Sequence, residues 1–204
     1  ILKLVLKYPS AGAYGTLYEI KYKNRKETVK IKGLPSESID CIIPDYFYSF
    51  LMSEHPPLIP SSFATTKKVF KEIGLFQIGR KGGEDLDFFT RVALKYDIAL
   101  SKNIGAIYNK DAENRKCNIK SDINELNELS LINNKIQLYK NKIIVLQEYK
   151  ARLEIAEARR SLLFHNNRKR ALKLLNDCKT SRMFWKRRLF FCFYVIFLHL
   201  YLTL

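Results

Sequence analysis

The chain has 204 residues, 47% apolar and 27% charged, which suits one domain with a real core, or a domain with an appendage, and excludes a mainly disordered polypeptide. Eight Gly and six Pro exclude collagen-like or linker-dominated architectures, and no internal repeat points to a solenoid. Thirty-six Lys and Arg against twenty Asp and Glu leave +16, which calls for an anionic partner: phosphate groups, anionic lipid or nucleic acid.

The opening apolar run Ile1–Leu6 reads as the end of an element, so the chain is expected to be a fragment whose upstream part is missing, or a processed chain. Lys3 and Lys7 interrupt it too early for a signal peptide. Leu17–Tyr22 and Thr28–Lys32 alternate and are rich in β-formers, with polar Lys23–Glu27 between them as a hairpin connection. Tyr46–Met52 suits helix or strand equally. His55-Pro56-Pro57 forces a turn or extended segment. A short strand is expected near Ser61–Ala64. Thr65 or Thr66 can then cap a helix that Gly74 ends. Leu86, Phe89, Val92 and Ala93 form one helical face within Asp85–Tyr96. Ile98–Leu100 and Ile104–Tyr108 read as short strands.

From Asp122 the texture becomes helical. Ile132, Ile136, Tyr139, Ile143 and Leu146 make a heptad-like seam that Lys150 breaks and Leu153 resumes. Such a helix packs on the preceding domain or, within 123–153, on a second copy. Another helix is expected over Asn167–Cys178. Residues 164–188 carry nine Lys and Arg and one Asp, and Leu189–Leu204 has no formal charge. These sixteen residues, polar His199 and Thr203 among them, are short for a membrane span, so the tail is expected to lie in the interface or form a truncated span. Lys186-Arg187-Arg188 would then sit among anionic headgroups, placing 164–204 at the cytoplasmic face of a membrane, peripheral or tail-anchored. A buried C-terminal core helix is the alternative. No nucleic-acid recognition motif is present, so no nucleic-acid partner is expected. Cys41, Cys117, Cys178 and Cys192 have no zinc-site spacing and are read as free thiols. His55, His165 and His199 are scattered and read as structural.

The sharpest chemical signal is Gly82-Gly83-Glu84-Asp85-Leu86-Asp87. Two glycines allow close approach of a ligand, and three carboxylates open a helix whose positive end keeps them ionised. An ionised carboxylate there can act as general base toward a hydroxyl or support a metal ion. Simple capping explains the same residues, with Asp87 and Arg91 spaced for an i,i+4 ion pair.

Three segments carry a resemblance: Pro9–Tyr18, Pro60–Phe76 and Gly83–Ala93. In order and spacing they resemble the C-terminal half of a family 2 glycosyltransferase with the GT-A fold, over about residues 1–116. The resemblance implies an α/β fold: the C-terminal, acceptor-side part of a GT-A-like domain over 1–120, then a helical basic extension over 121–188 and an apolar membrane-seeking tail over 189–204. It implies transfer of a sugar from a nucleotide-sugar donor to a glycan acceptor hydroxyl, in surface polysaccharide or related glycan synthesis. Asp85 would be the base in an inverting attack, and Glu84 would shape the acceptor site with Gly83, Ser61 and Ser62. A Mg²⁺ or Mn²⁺ ion is implied for the whole enzyme. No Asp-x-Asp precedes Pro9, and Asn109 stands near the place where the family often has a metal-ligating His, so no metal ligand is assigned here. The donor-binding half is absent from these residues, so this chain alone is expected to be inactive. A non-catalytic basic module derived from such an enzyme, binding a membrane or a partner, is the alternative.

Overall fold

A computed structural model describes residues 1–78, 83–112, 143–180 and 183–203. The chain divides into two compact units, Ile1–Glu128 and Leu129–Leu204. The first is α/β and the second helical.

The first unit is built on β1 (Ala13–Tyr22), whose first six residues are all buried. It runs parallel to β5 (Ile98–Asn109) on one side. Its other side pairs antiparallel with β4 (Phe63–Thr65) near its start and with β2 (Arg25–Thr28) near its end. Beyond β5 lies β3 (Asp40–Ile42), antiparallel, giving the order β2-β1-β5-β3. A strand flanked on both edges and covered on both faces needs apolar residues at successive positions, which explains why Ala13–Tyr18 does not alternate. Helix α1 (Leu2–Lys7) adds Leu4 to a cluster with Ala11, Tyr14 and Ala99. Buried Tyr14 and Tyr18 find partners for their hydroxyls, Tyr14 donating to Tyr8 O at 3.0 Å and Tyr18 to Pro56 O at 2.9 Å. Burial pushes the pKa of both phenols up.

Several elements differ from expectation for identifiable reasons. The hairpin turns at Lys23-Asn24, with Tyr22 opposite Arg25, so β2 occupies the charged stretch expected as a loop. An edge strand with mostly exposed side chains accepts Arg25, Lys26 and Glu27 without penalty. The two expected short strands near the end are one, β5. Its register against β1 slips as Ser101, Ile104 and Ala106 meet Thr16, Leu17 and Tyr18, so the polar residues between them bulge instead of breaking the strand. Tyr46–Met52 is helix α2, started by Asp45, whose Oδ1 accepts from Tyr48 N at 3.0 Å. Pro60–Ser62 forms a 3₁₀ turn, which delays β4 to Phe63. Helix α3 (Lys67–Ile73) has the expected Thr66 cap and ends at Gly74, whose φ of 84° suits glycine. Helix α4 spans Glu84–Ala93, starting one residue earlier and stopping three earlier than expected.

The second unit holds α5 (Ile143–His165), α6 (Arg168–Asp177) and α7 (Trp185–Thr203). Asn166, at φ 50°, turns the chain, and Asn167 caps α6 by accepting from Arg170 N at 3.0 Å. Of the heptad-like seam, Ile132, Ile136 and Tyr139 lie outside the described residues, while Leu146 and Leu153 are buried. Three carboxylates on α5 are buried as well, each with partners. Glu148 accepts from Thr180 Oγ1 at 2.7 Å and Met183 N at 3.3 Å. Glu157 pairs with Arg170 at 3.1 Å, and Glu154 with Lys150 at 3.4 Å. The basic run 186–188 and the apolar tail share the single helix α7, so 189 marks no break. Among the described residues no helix is long and apolar enough to cross a membrane. Cys41, Cys178 and Cys192 are free, and burial pushes the Cys178 thiol up to about 12.

Burial raises the Glu154 carboxyl, against the lowering effect of Lys150. An acid raised in the folded chain binds its proton more tightly there. Its stabilising contribution is present below the unfolded value, about 4.3, and is lost as pH rises through the folded one. Glu154→Gln is therefore expected to unfold at a higher urea concentration than the unaltered chain at pH 7. The two should coincide at acid pH, where Glu154 is protonated in both states. Lys150, 18% exposed, still reaches water in the variant.

Candidate functional site

Gly83 precedes α4 with φ 71° and ψ 12°, the left-handed region where a Cβ is strained. The N-cap residue, Gly83, has no side chain with which to cap the helix; Glu84, Asp85 and Asp87 occupy its first turn, beside the positive end of the helix. Asp85 Oδ1 accepts from Leu86 N at 2.8 Å, which orients the carboxylate against the first turn. Glu84 and Asp85 are half-buried, whereas Asp87 is fully buried.

Asp87 has a different task. Its Oδ2 accepts from Arg91 Nε at 2.9 Å and from an Arg91 terminal nitrogen at 2.7 Å. The same guanidinium donates to the carbonyls of Ile73 at 2.5 Å, Gly74 at 3.1 Å and Leu75 at 3.0 Å. These carbonyls end α3, where the helix leaves acceptors unsatisfied and a cation is favoured. Arg91 therefore joins the end of α3 to α4. Phe88, fully buried, fills the space beneath, with its ring 4.9 Å from Phe70, 4.7 Å from Phe76 and 5.7 Å from Phe63. The i,i+4 spacing of Asp87 and Arg91 was legible in sequence. Arg91's reach to α3 was not, because no local pattern links residue 91 to 73.

Gly83, Glu84 and Asp85 come together by adjacency at one helix start. Ser61 is exposed, and Ser62 is buried with its hydroxyl donating to Ile59 O at 3.4 Å, so Ser62 serves its own 3₁₀ turn. The turn leads into Phe63, which packs on Phe88 and, at 5.0 Å, on Phe89 of α4.

Among the described residues, this turn supplies no group of three metal-ligating side chains. Asp87 Oδ2 is held by Arg91, and one oxygen of Asp85, Oδ1, accepts from the helix backbone. Asn109 is exposed and its side-chain oxygen accepts from Asp111 N at 3.1 Å in a local turn. Among the described residues one metal-ligating trio does assemble, elsewhere: Glu27 of β2 with Glu54 and His55 after α2, one ligand atom from each lying within 4.8 Å of the others. Sequence reasoning treated His55 as structural because Glu27 is remote in the chain and only the hairpin brings it near.

The division of the acidic turn is the chemical result: fully buried Asp87 holds structure through Arg91, while Glu84 and Asp85 are half-buried at the positive helix end. Comparison of the chain with known protein families, with characterised proteins and with solved structures finds no match.

Proposed function

We propose that the first unit is the acceptor-side part of a glycosyltransferase resembling family 2, with Asp85 as the general base. The observation that carries this reading is the split just described. Capping alone would not need a fully buried Asp87 clamped by Arg91 two residues after a half-buried, backbone-oriented Asp85. In the reaction the acceptor oxygen forms a bond to the anomeric carbon, the bond from that carbon to the nucleoside diphosphate breaks, and the acceptor proton passes to Asp85. Glu84 beside it contacts the acceptor, and Gly83 keeps the approach clear of side-chain bulk. The donor-binding strands are not among these residues, so the test uses the whole gene product. Transfer from nucleotide sugars to glycan acceptors is measured for that protein and for Asp85→Asn. Full activity in a folded variant would reduce the turn to a helix start.

We infer a second role, attachment to an anionic membrane surface at the cytoplasmic face, on a separate observation. Helix α7 exposes Trp185, Leu189, Phe190, Phe193 and Tyr194 directly beside the basic run at 186–188. Aromatic and aliphatic bulk with adjacent cations suits the headgroup boundary. Trp185 is the single tryptophan and reports on this helix without a label. Its emission is expected to shift to the blue on adding vesicles that contain phosphatidylserine, and to stay shifted in salt that removes purely electrostatic binding. Phe190→Ser or Phe193→Ser should weaken partitioning about tenfold or more, from the roughly 1.5–3 kcal/mol of burying a large apolar side chain. An unshifted spectrum would leave α7 to protein contacts.

A further inference from the structure

We propose that Glu27, Glu54 and His55 form a site for a divalent transition-metal cation of the Zn²⁺ type. This inference does not depend on the glycosyltransferase reading. It rests on how the three ligands are held and on what they lack.

Two chain segments meet at the site. Glu27 stands on the edge strand β2, opposite buried Ile20 of β1. Glu54 and His55 lie in the short connection after α2, and that connection is fastened on both sides of them. Before the pair, buried Ser53 accepts at Oγ from Lys32 N at 2.9 Å. After the pair, Pro56 O accepts at 2.9 Å from the hydroxyl of Tyr18, itself 2% exposed. The backbone between the anchors is thereby fixed, and Glu54 and His55 are presented to Glu27 by the sheet rather than by a drifting loop. Preorganisation of this kind is what a metal site needs from its scaffold.

The local chemistry is incomplete without a cation. Two carboxylates sit close together, and among the described residues neither has an ion pair. Like charges at such range repel. His55 Nε2 is shut off from solvent and, among the described residues, has no hydrogen-bond partner. A buried ring nitrogen without a partner costs free energy. One divalent ion neutralises the carboxylates and gives the His55 imidazole a partner. An imidazole in the donor set selects transition metals over Ca²⁺ and Mg²⁺. Donors at about 2.0–2.2 Å from zinc stand roughly 3.3 Å apart in tetrahedral geometry, so small side-chain rotations close the site from its present spacing. Three protein ligands leave a fourth position for water. The ion would staple the free edge of the hairpin to the connection after α2.

The test uses the full 204-residue chain, stripped of metal with a chelator. Zn²⁺ is titrated calorimetrically, thermal unfolding is followed with and without it, and Co²⁺ is added separately for its absorption spectrum. The expected result is one high-affinity Zn²⁺ per chain, a raised unfolding temperature, and Co²⁺ bands without thiolate charge transfer. His55→Ala and Glu54→Gln should each lower affinity by at least the roughly 10–100-fold that loss of even a supporting partner costs. Glu54 is exposed, so Glu54→Gln keeps the fold and decides the matter alone should His55→Ala fail to fold. Absence of binding at millimolar Zn²⁺, unchanged affinity in Glu54→Gln, or a strong thiolate band would each overturn the assignment.

Discussion

Arg91→Met is expected to cost the α/β unit about 3–5 kcal/mol in urea denaturation, the range for removing one partner of a buried ion pair. Asp87 is 0% exposed and Arg91 15%, so water cannot replace the lost guanidinium. The damage reaches further than the pair. Arg91 also donates to three carbonyls at the end of α3, and its guanidinium lies over the Phe88 ring with the charge 5.3 Å from the centroid. Without it the Ile73–Leu75 carbonyls lose their donor on α4, and the Phe76–Phe88 contact is left to hold that segment there. The double variant Asp87→Leu/Arg91→Met should recover a large part of the loss, because no ion is then left buried without its counterpart. Equal stability of Arg91→Met and the unaltered chain would show that the clasp contributes nothing.

The same turn yields the second large effect, in rate rather than stability. Asp85→Asn retains an oxygen that can accept from Leu86 N, so the helix start survives and unfolding should move by no more than about 0.5 kcal/mol. The amide cannot take a proton from the acceptor, so transfer by the whole gene product should fall about 10²–10⁴-fold. Asp87→Asn should show the reverse: a large loss of stability, and an activity that falls only as the folded fraction falls. The pair of variants therefore separates chemistry from architecture two residues apart on one helix. A parallel loss of stability in both would return Asp85 to a capping role.

How much of this was legible in sequence depends on the range of the interaction. Thr66, Gly74 and Asn167 were readable as helix boundaries because a cap acts within one turn of the chain. Asp87–Arg91 was readable because four residues make one helical turn. Tyr46–Met52 became decidable only with Asp45 capping it. The β2 strand was misplaced because an edge strand with exposed side chains carries no apolar alternation, and β3 was missed because three residues hold no period. Arg91 on α3 and the Glu27–Glu54–His55 trio depend on contacts between distant segments, which no local pattern encodes.

Strand β1 pairs with β2, β4 and β5, and this fixes the order in which the sheet can be completed. Its antiparallel neighbour β2 emerges from the ribosome at once, but Ala13 must wait for Ile98, 85 positions later. At about 5–20 residues per second that delay is roughly 4–17 s. Until β4 arrives, the start of β1 has both edges open, and from then until β5 it has one, the kind of template that pairs with neighbouring copies. Closure across so long a loop is also intrinsically slow. The nascent protein's exposure to misassembly is therefore set by the arrival of β5, and a chain ending between residues 28 and 98 would display an aggregation-prone strand that the finished fold conceals.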